Sequence, residues 1–373
     1  MKFVLATGVY PPEIGGPAKI IERVSRELHM DGHDVLVVTY GAENERADGL
    51  IHVSRHGNVL VRYLRFFLAI RSTLAPETIV VATDVFSVGI PARLALIGRS
   101  NHLLLRLGGE WRWERAVENG RTHRTLREFW EQPTCTMRDS LELMSYRWIL
   151  RRAQRIAVTS HLLQEILART FHEIFGRIIV VSNVVSSVAL SCRPDGPPRS
   201  PLRLLYVGRF VRVKNLPFLA KILQGLVRDG VNIACTWIGD GPTLEEIRTE
   251  LKGLPNMRFL GAKNSQDVQD MLTESDVLVL PSLTDICPNI VLEALAARVP
   301  CILTTEHGLQ APLSGVIECD PRNAVAWTQA IKSLTDTHAY ETLRTSIRMP
   351  DTRADVFHDW LIGARKNRLA MMQ

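Results

Sequence analysis

Lysine is scarce in the first half of this 373-residue chain. None occurs between Lys19 and Lys214, and arginine carries the positive charge instead. Cysteine is sparse and scattered: Cys135, Cys192, Cys235, Cys287, Cys301 and Cys319 form no C-x-x-C pair and no Cys/His cluster. That argues against a disulfide framework or a structural zinc site and suits a reducing compartment. No apolar run reaches the length of a membrane span, because Asp84, Arg93, Arg99 and Arg106 interrupt the longest candidates. The opening "MKFVLATGVYPP" reads as a short buried strand entering a turn, not as a charged leader before a long apolar stretch. A complete G-x-G-x-x-G is also missing, which argues against a nicotinamide enzyme.

What is present is the composition of a globular chain long enough for two domains, 46% hydrophobic and 23% charged. The net charge of +6 is uneven. Residues 1–190 carry +5, and no acid occurs between Asp48 and Glu77. There Arg55, Arg62, Arg65 and Arg71 alternate with Leu60, Tyr63, Leu64, Phe66, Phe67 and Leu68. Residues 55–71 therefore read as a basic amphipathic helix, able to lie on an anionic membrane surface or to pack its apolar side on the domain and solvate its arginines. No nucleic-acid recognition motif accompanies the basic excess, so no nucleic-acid partner is expected.

Strand-like apolar runs alternate with amphipathic ones throughout, the grammar of parallel sheets with crossover helices. "KFVLAT", "DVLVVTY", "TIVVAT", "NHLLLRLGG", "RIAVTS" and "RIIVVSN" read as strands of the first half. "LRLLYVGR", "NIACTWIGD", "MRFLGA", "DVLVLPS" and "PCILTT" read as strands of the second. The Ser/Pro/Gly-rich "SSVALSCRPDGPPRSP" (186–201) reads as a linker between them. The expected architecture is α/β, with two Rossmann-like, doubly wound domains facing across a cleft. Residues 1–185 form the first domain and 202–350 the second. A helix in 351–373 is expected to pack back on the first domain. Ligands in such folds bind at the carboxyl ends of the strands.

Five segments carry candidate chemistry. In "YVGRFVRVKN" (206–215), Arg209 and Lys214 follow a strand and are suited to a diphosphate, the one by forking and the other as a point charge. "WIGDGPTLEEI" (237–247) is strand, turn and helix; Gly239 and Gly241 suit either ligand contact or a turn needing positive φ. "YPPEIGGPAK" (10–19) places Gly15 and Gly16 before a helix, where backbone N–H groups can approach an anion. In "DICPNIVLEALAARVP" (285–300), Asp285, Ile286, Cys287, Pro288 and Asn289 lead into a helix holding Glu293 among Ile290, Ala296 and Ala297. A carboxylate so placed needs donors, such as a ribose diol, a neighbouring backbone group or an arginine. In "LLLRLGGEWRWERA" (103–116), Glu110, Trp111, Trp113 and Glu114 suit stacking and hydrogen bonding of a sugar, or a packed Trp pair over the sheet edge.

In this order the segments resemble family 4 glycosyltransferases, a retaining group of GT-B fold. The stretch from Glu110 through "YRWILRRAQRIAVTS" resembles the subgroup that builds bacterial surface polysaccharides. The resemblance implies that Arg209 and Lys214 hold the donor diphosphate beside Gly15 and Gly16. It implies that Glu293 binds the donor ribose and that Asp285, with residues 286–289, meets the transferred sugar. Glu110, Trp111 and Trp113 fall on the acceptor side. Three positions depart from the pattern: Asp285 stands for Glu, Cys287 for an aromatic, and Glu110 for Asp. The lost methylene at Asp285 shortens its reach by about 1.5 Å, a misplacement that can cost roughly 100-fold in rate.

The implied activity is transfer of a sugar from a nucleotide-diphosphate donor to a hydroxyl of a saccharide or lipid-linked saccharide, with retention. Glu110, Arg209, Lys214 and Asp285 are the catalytic candidates. No D-x-D occurs, and no metal or other cofactor is expected. The setting implied is cytoplasmic, with peripheral contact on the inner face of the membrane. An epimerase or hydrolase on the same scaffold, or a non-catalytic nucleotide-sugar-binding subunit, stands as the alternative.

Overall fold

The computed structural model describes residues 1–13, 16–132, 136–182, 192–310, 313–348 and 356–363. The chain divides into two compact units: residues 1–112, 133–183 and 353–373 form one, and residues 113–132 and 184–352 the other.

The first unit is built on an eight-stranded sheet. Its strands are β1 (Lys2–Thr7), β2 (Asp34–Gly41), β3 (Glu45–Ala47), β4 (Leu50–Ser54), β5 (Thr78–Ala82), β6 (His102–Leu107), β7 (Arg155–Val158) and β8 (Ile178–Val180). Their order is β3-β4-β2-β1-β5-β6-β7-β8, and only the short β3 runs antiparallel, against β4. The apolar runs read from sequence occupy the central strands; β5 is buried at every residue, as a parallel strand covered on both faces must be. The crossovers include α1 (Gly16–Met30), α2 (Val59–Arg71), α3 (Gly89–Ala95), α6 (Met137–Arg152) and α7 (His161–Thr170); between β6 and β7 the chain also forms α4 (Trp111–Glu118) and α5 (Leu126–Glu131), which from Trp113 onward belong to the second unit. Phe3, Leu5, Ile21, Val24 and Leu28 pack with Phe357, Trp360 and Leu361 of the C-terminal helix Val356–Gly363, whose Trp360 carbonyl accepts from Arg155 Nη1 at 2.9 Å.

The second unit holds a six-stranded, all-parallel sheet: β9 (Leu202–Val207), β10 (Ile233–Ile238), β11 (Met257–Phe259), β12 (Val277–Leu280), β13 (Cys301–Thr304) and β14 (Val316–Cys319), in the order β11-β10-β9-β12-β13-β14. Helices α8 (Leu216–Arg228), α9 (Leu244–Glu250), α10 (Ser265–Thr273), α11 (Asn289–Ala296), α12 (Ala324–Ser333) and α13 (Thr337–Thr345) cover it. Strand order reverses between β9 and β12, as it does between β1 and β5 in the first unit. At such switch points the carboxyl-end loops diverge and leave room for a ligand.

Two boundaries differ from the sequence reading. Residues 113–132, expected in the first domain, cluster with the second unit because α4 and α5 bond to its loops. The expected linker 186–201 is described from Cys192 onward, and there it is bound, not free. Arg193 N donates to Ala297 O at 2.9 Å, and the buried Arg193 guanidinium grips Asp276 with an Nη2–Oδ1 distance of 2.6 Å.

Candidate functional site

The second unit's switch point collects most of the polar residues singled out from sequence. After β9 the chain bends at Gly208-Arg209, and buried Tyr206 pins the bend by donating to Arg209 O at 2.9 Å. Phe210 N donates to Asp240 O, and Thr243 N to Phe210 O, which fastens this loop to the one after β10. Gly239 (φ 133°) and Gly241 (φ 151°) sit in that seam, where a Cβ would overlap Gly208 O and Phe210 O respectively. This close approach demands glycine at both positions irrespective of any ligand.

The 3-10 turn Arg212–Lys214 follows, ended by Asn215 in the left-handed region at φ 55°. Asn215 Nδ2 donates to Pro281 O and Pro321 O, at 3.1 and 2.9 Å. These bonds, with Leu283 N to Val213 O at 3.0 Å, bring the loop after β12 against the loop after β9. Lys214 Nζ accordingly reaches Asp285 Oδ2 at 2.6 Å, and Ser282 Oγ donates to the same oxygen at 3.2 Å. Both partners of the ion pair are largely buried, while the Arg209 side chain is 70% exposed. Asp285 is itself fixed by its backbone, with N to Glu306 O at 2.8 Å and O from Gly308 N at 2.9 Å.

The structure adds two acids that sequence reasoning did not assign, Glu118 and Glu128, and gives Glu114 a different neighbour from the sugar expected for it. Glu118 of α4 accepts the N–H groups of Arg212 (3.1 Å) and Val213 (3.0 Å), capping the turn that carries Lys214. One turn earlier, Glu114 lies 3.9 Å from Arg209. Burial pushes its carboxyl pKa up, while Arg209 and Lys214 pull the other way and Glu118 and Asp285 add to the rise. On α5, Glu128 forks onto Arg322 at 2.7 and 3.1 Å, and those hydrogen bonds hold its pKa below the usual carboxylate value. The i, i+4 spacing of Glu114 and Glu118 was visible in the sequence; their approach to residues a hundred positions away was not.

Glu293 lies on α11, half-buried beside Val291, Leu292, Ala294 and Leu295, which turn into the core. Pro288 precedes the helix, Cys287 Sγ lies 3.3 Å from Asn289 Oδ1, and Ile286 is buried. Glu110 and Trp111 belong to the first unit, and Trp113 to the second. Glu110 is fully buried, with Oε1 accepting Arg112 N at 3.3 Å, so its carboxylate is not presented to an acceptor in this conformation. Trp113 requires a correction. Its indole is 1% exposed and its Nε1 donates to Arg124 O at 2.9 Å, so it is a packing residue and not a sugar platform. Two residues apart on a helix, Trp111 and Trp113 point to opposite sides, and Trp111 instead lies over Phe86 at 4.5 Å, partly exposed.

In the first unit Gly15 lies outside the described residues, and Gly16 begins α1. At this unit's own switch point Asp84 closes the turn that leads into α3: Oδ1 accepts Ser87 N at 2.6 Å and Val88 N at 3.2 Å, and burial raises its pKa. Among the described residues, no group of three or more His, Cys, Asp or Glu is placed to hold a metal ion.

Residues 201–337 match the family model "Glycosyl transferases group 1". Residues 201–337 are a group 1 glycosyl transferase domain. Arg209, Lys214, Gly239, Asp285 and Glu293 fall inside this glycosyl transferase domain; Glu110, Trp111 and Trp113 fall outside it. Along most of its length the chain is similar to the glycogen synthase of Mycobacterium tuberculosis, 23% identical over 365 residues, covering 90% of this chain and 86% of that protein. A shorter match, 30% identical over 122 residues and 30% of each chain, is to the Escherichia coli UDP-Gal:alpha-D-GlcNAc-diphosphoundecaprenol alpha-1,3-galactosyltransferase. Among solved structures, a sucrose-phosphate synthase from Thermosynechococcus elongatus superposes with a TM-score of 0.76 at 17% identity, covering 100% of both chains. Such neighbours are GT-B glycosyltransferases, and the two parallel-sheet units share that fold.

Proposed function

We propose that this protein transfers a sugar from a nucleotide-diphosphate donor to a hydroxyl of a saccharide or lipid-linked saccharide, retaining anomeric configuration. The observation that carries the reading is the Lys214–Asp285 pair at 2.6 Å, with the exposed Arg209 on the same loop, at the switch point of a glycosyl transferase domain. A cation pair there offsets the charge that develops on a departing diphosphate, the largest contribution available to such a site. Asp285, with residues 286–289, faces the transferred sugar, and Glu293 takes the ribose hydroxyls. The bond from the anomeric carbon to the diphosphate breaks. The acceptor oxygen bonds to that carbon from the same face, and its proton passes to the leaving phosphate. No resident metal or cofactor is part of the proposal.

A lipid-linked acceptor fits the E. coli relative, whose name specifies a diphosphoundecaprenol substrate. It also fits peripheral contact with the inner face of an anionic membrane through residues 55–71, which places the protein in the cytoplasm.

Thermal-shift titration with UDP, GDP and ADP tests the donor assignment. One nucleotide stabilises the wild type, and Lys214→Ala loses that stabilisation together with turnover while keeping the fold. Wild-type activity in Lys214→Ala overturns the diphosphate role.

A further inference from the structure

The first unit exposes apolar side chains on three adjacent helices. On α2, Leu60, Leu64 and Leu68 follow one another at four-residue steps and are 76%, 56% and 53% exposed. Phe66 and Ile70, on the opposite side of that helix, fill the core. The neighbouring α3 adds exposed Leu94, and Ile97 lies exposed just beyond it. A groove of about 570 Å³ runs between these residues and α2. On α6, Met137, Leu141, Met144 and Trp148 recur at steps of four, three and four, which sets them on one stripe, and all four are exposed. Buried Tyr146, Ile149 and Leu150 anchor the inner side of the same helix. Monomeric proteins rarely leave so extended an apolar face uncovered without a partner.

The charge around this face is predominantly positive. No acid occurs between Asp48 and Glu77, or between Asp84 and Glu110. The acids of α6 turn away: Glu142 and Asp139 lie 3.4 and 3.9 Å from Arg112. A second groove, about 350 Å³, runs between α3 and α6 and is lined by Arg93, Arg147, Arg151 and Arg152 with Met144 and Trp148. Glu173 pairs with Arg147 and Arg151, at 3.0 and 3.3 Å. Arg93 lies over the Trp148 ring at 4.6 Å, and its buried Nε has no hydrogen-bond partner among the described residues. Four guanidinium groups against one carboxylate leave room for an anion, and the apolar ridges on either side specify one attached to a hydrocarbon phase.

We propose that the α2–α3–α6 face of the first unit seats the protein on an anionic lipid bilayer. The leucines of α2 and the stripe of α6 enter the headgroup region, and the arginine-lined groove holds a lipid phosphate. This deepens the membrane contact proposed above for residues 55–71 and rests on it, extending it to two further helices and a defined headgroup site.

Vesicle flotation with the full chain decides it, using phosphatidylcholine vesicles with and without 30% phosphatidylglycerol. The wild type floats with the anionic vesicles, and 0.5 M NaCl weakens the association. Arg147→Glu with Arg151→Glu, both on exposed side chains, lowers partitioning roughly 30-fold or more, at about tenfold or less per charge removed and further for reversal. Leu60→Ser with Leu64→Ser lowers it roughly tenfold or more, and Arg147→Lys with Arg151→Lys retains it. Circular dichroism and the thermal midpoint of each variant establish that the fold is intact. Loss in the α2 variant with normal binding in the α6 variant overturns the three-helix face while leaving contact through 55–71 standing. Equal flotation with neutral vesicles overturns the anionic partner. A dimer in light scattering that Leu60→Ser with Leu64→Ser dissolves, without flotation of the wild type, assigns the face to a second copy and overturns the lipid reading. Nucleotide thermal shifts on the same samples report the donor reading separately.

Discussion

Replacing Asp285 by Asn removes one charge from the proposed diphosphate site and almost no volume. Lys214 Nζ lies 2.6 Å from Asp285 Oδ2, and both side chains are largely buried. Unit charges ~4 Å apart at an effective dielectric of ~20 interact by about 4 kcal/mol before desolvation is subtracted. A diphosphate entering this site competes for the lysine and meets the Asp285 carboxylate as a like charge. If a third to two-thirds of that interaction is recovered on neutralisation, nucleotide binding tightens by roughly 1.4–2.8 kcal/mol, about 10- to 100-fold. At saturating nucleotide the extra binding energy appears as stability and raises the midpoint by roughly 3–10 °C for a domain of this size. The unliganded variant melts earlier, because Lys214 has lost its counter-charge. Sugar transfer moves the opposite way and falls about 100-fold, since the contact proposed between Asp285 and the sugar is gone. Calorimetric titration with UDP, GDP and ADP, beside a transfer assay, separates the two effects. Nucleotide affinity that is unchanged or weaker in Asp285→Asn, with turnover retained, refutes the placement of the ion pair in the donor site.

Two further outcomes follow from the second unit. Glu118→Ala removes the carboxylate that accepts Arg212 N and Val213 N. It raises KM for the donor about tenfold with little change in kcat, because the turn carrying Lys214 loses its cap; a collapse of kcat at constant KM contradicts this positioning role. Asp276→Ala strips a fully buried carboxylate from Arg193, which is 3% exposed, and lowers unfolding free energy by about 3–5 kcal/mol in urea titrations followed by tryptophan fluorescence. A loss below about 1 kcal/mol shows that Arg193 finds other partners.

Much of the architecture was legible because parallel strands buried on both faces appear in sequence as unbroken apolar runs. "TIVVAT", "DVLVLPS" and "PCILTT" are such runs, and each became a central strand. The edge strands β8 and β11 were read from "RIIVVSN" and "MRFLGA", but β3 was not: Glu45–Ala47 is three exposed residues paired with β4, with no apolar pattern of its own. In "IGDG", the spacing of glycines left turn and ligand contact equivalent. Only the proximity of Gly208 and Phe210 carbonyls supplied a reason that holds for both.

The candidate site divides along the same line. Local chemistry marked Arg209, Lys214, Asp285 and Glu293, because a cation after a strand or an acid inside an apolar helix stands out against its neighbours. Pairing between distant loops leaves no such mark. That Lys214 is bound to Asp285, that Glu118 caps its turn, and that residues 113–132 belong with the second unit depend on long-range packing. The same holds for Trp113, whose indole the sequence places near a strand end but which packing encloses. Sequence alone determined the two sheets and which residue types sit at their carboxyl ends, since periodicity and burial act locally. Tertiary structure alone decided which of those residues touch, because hydrogen bonds and ion pairs are set by distances that the chain closes only on folding.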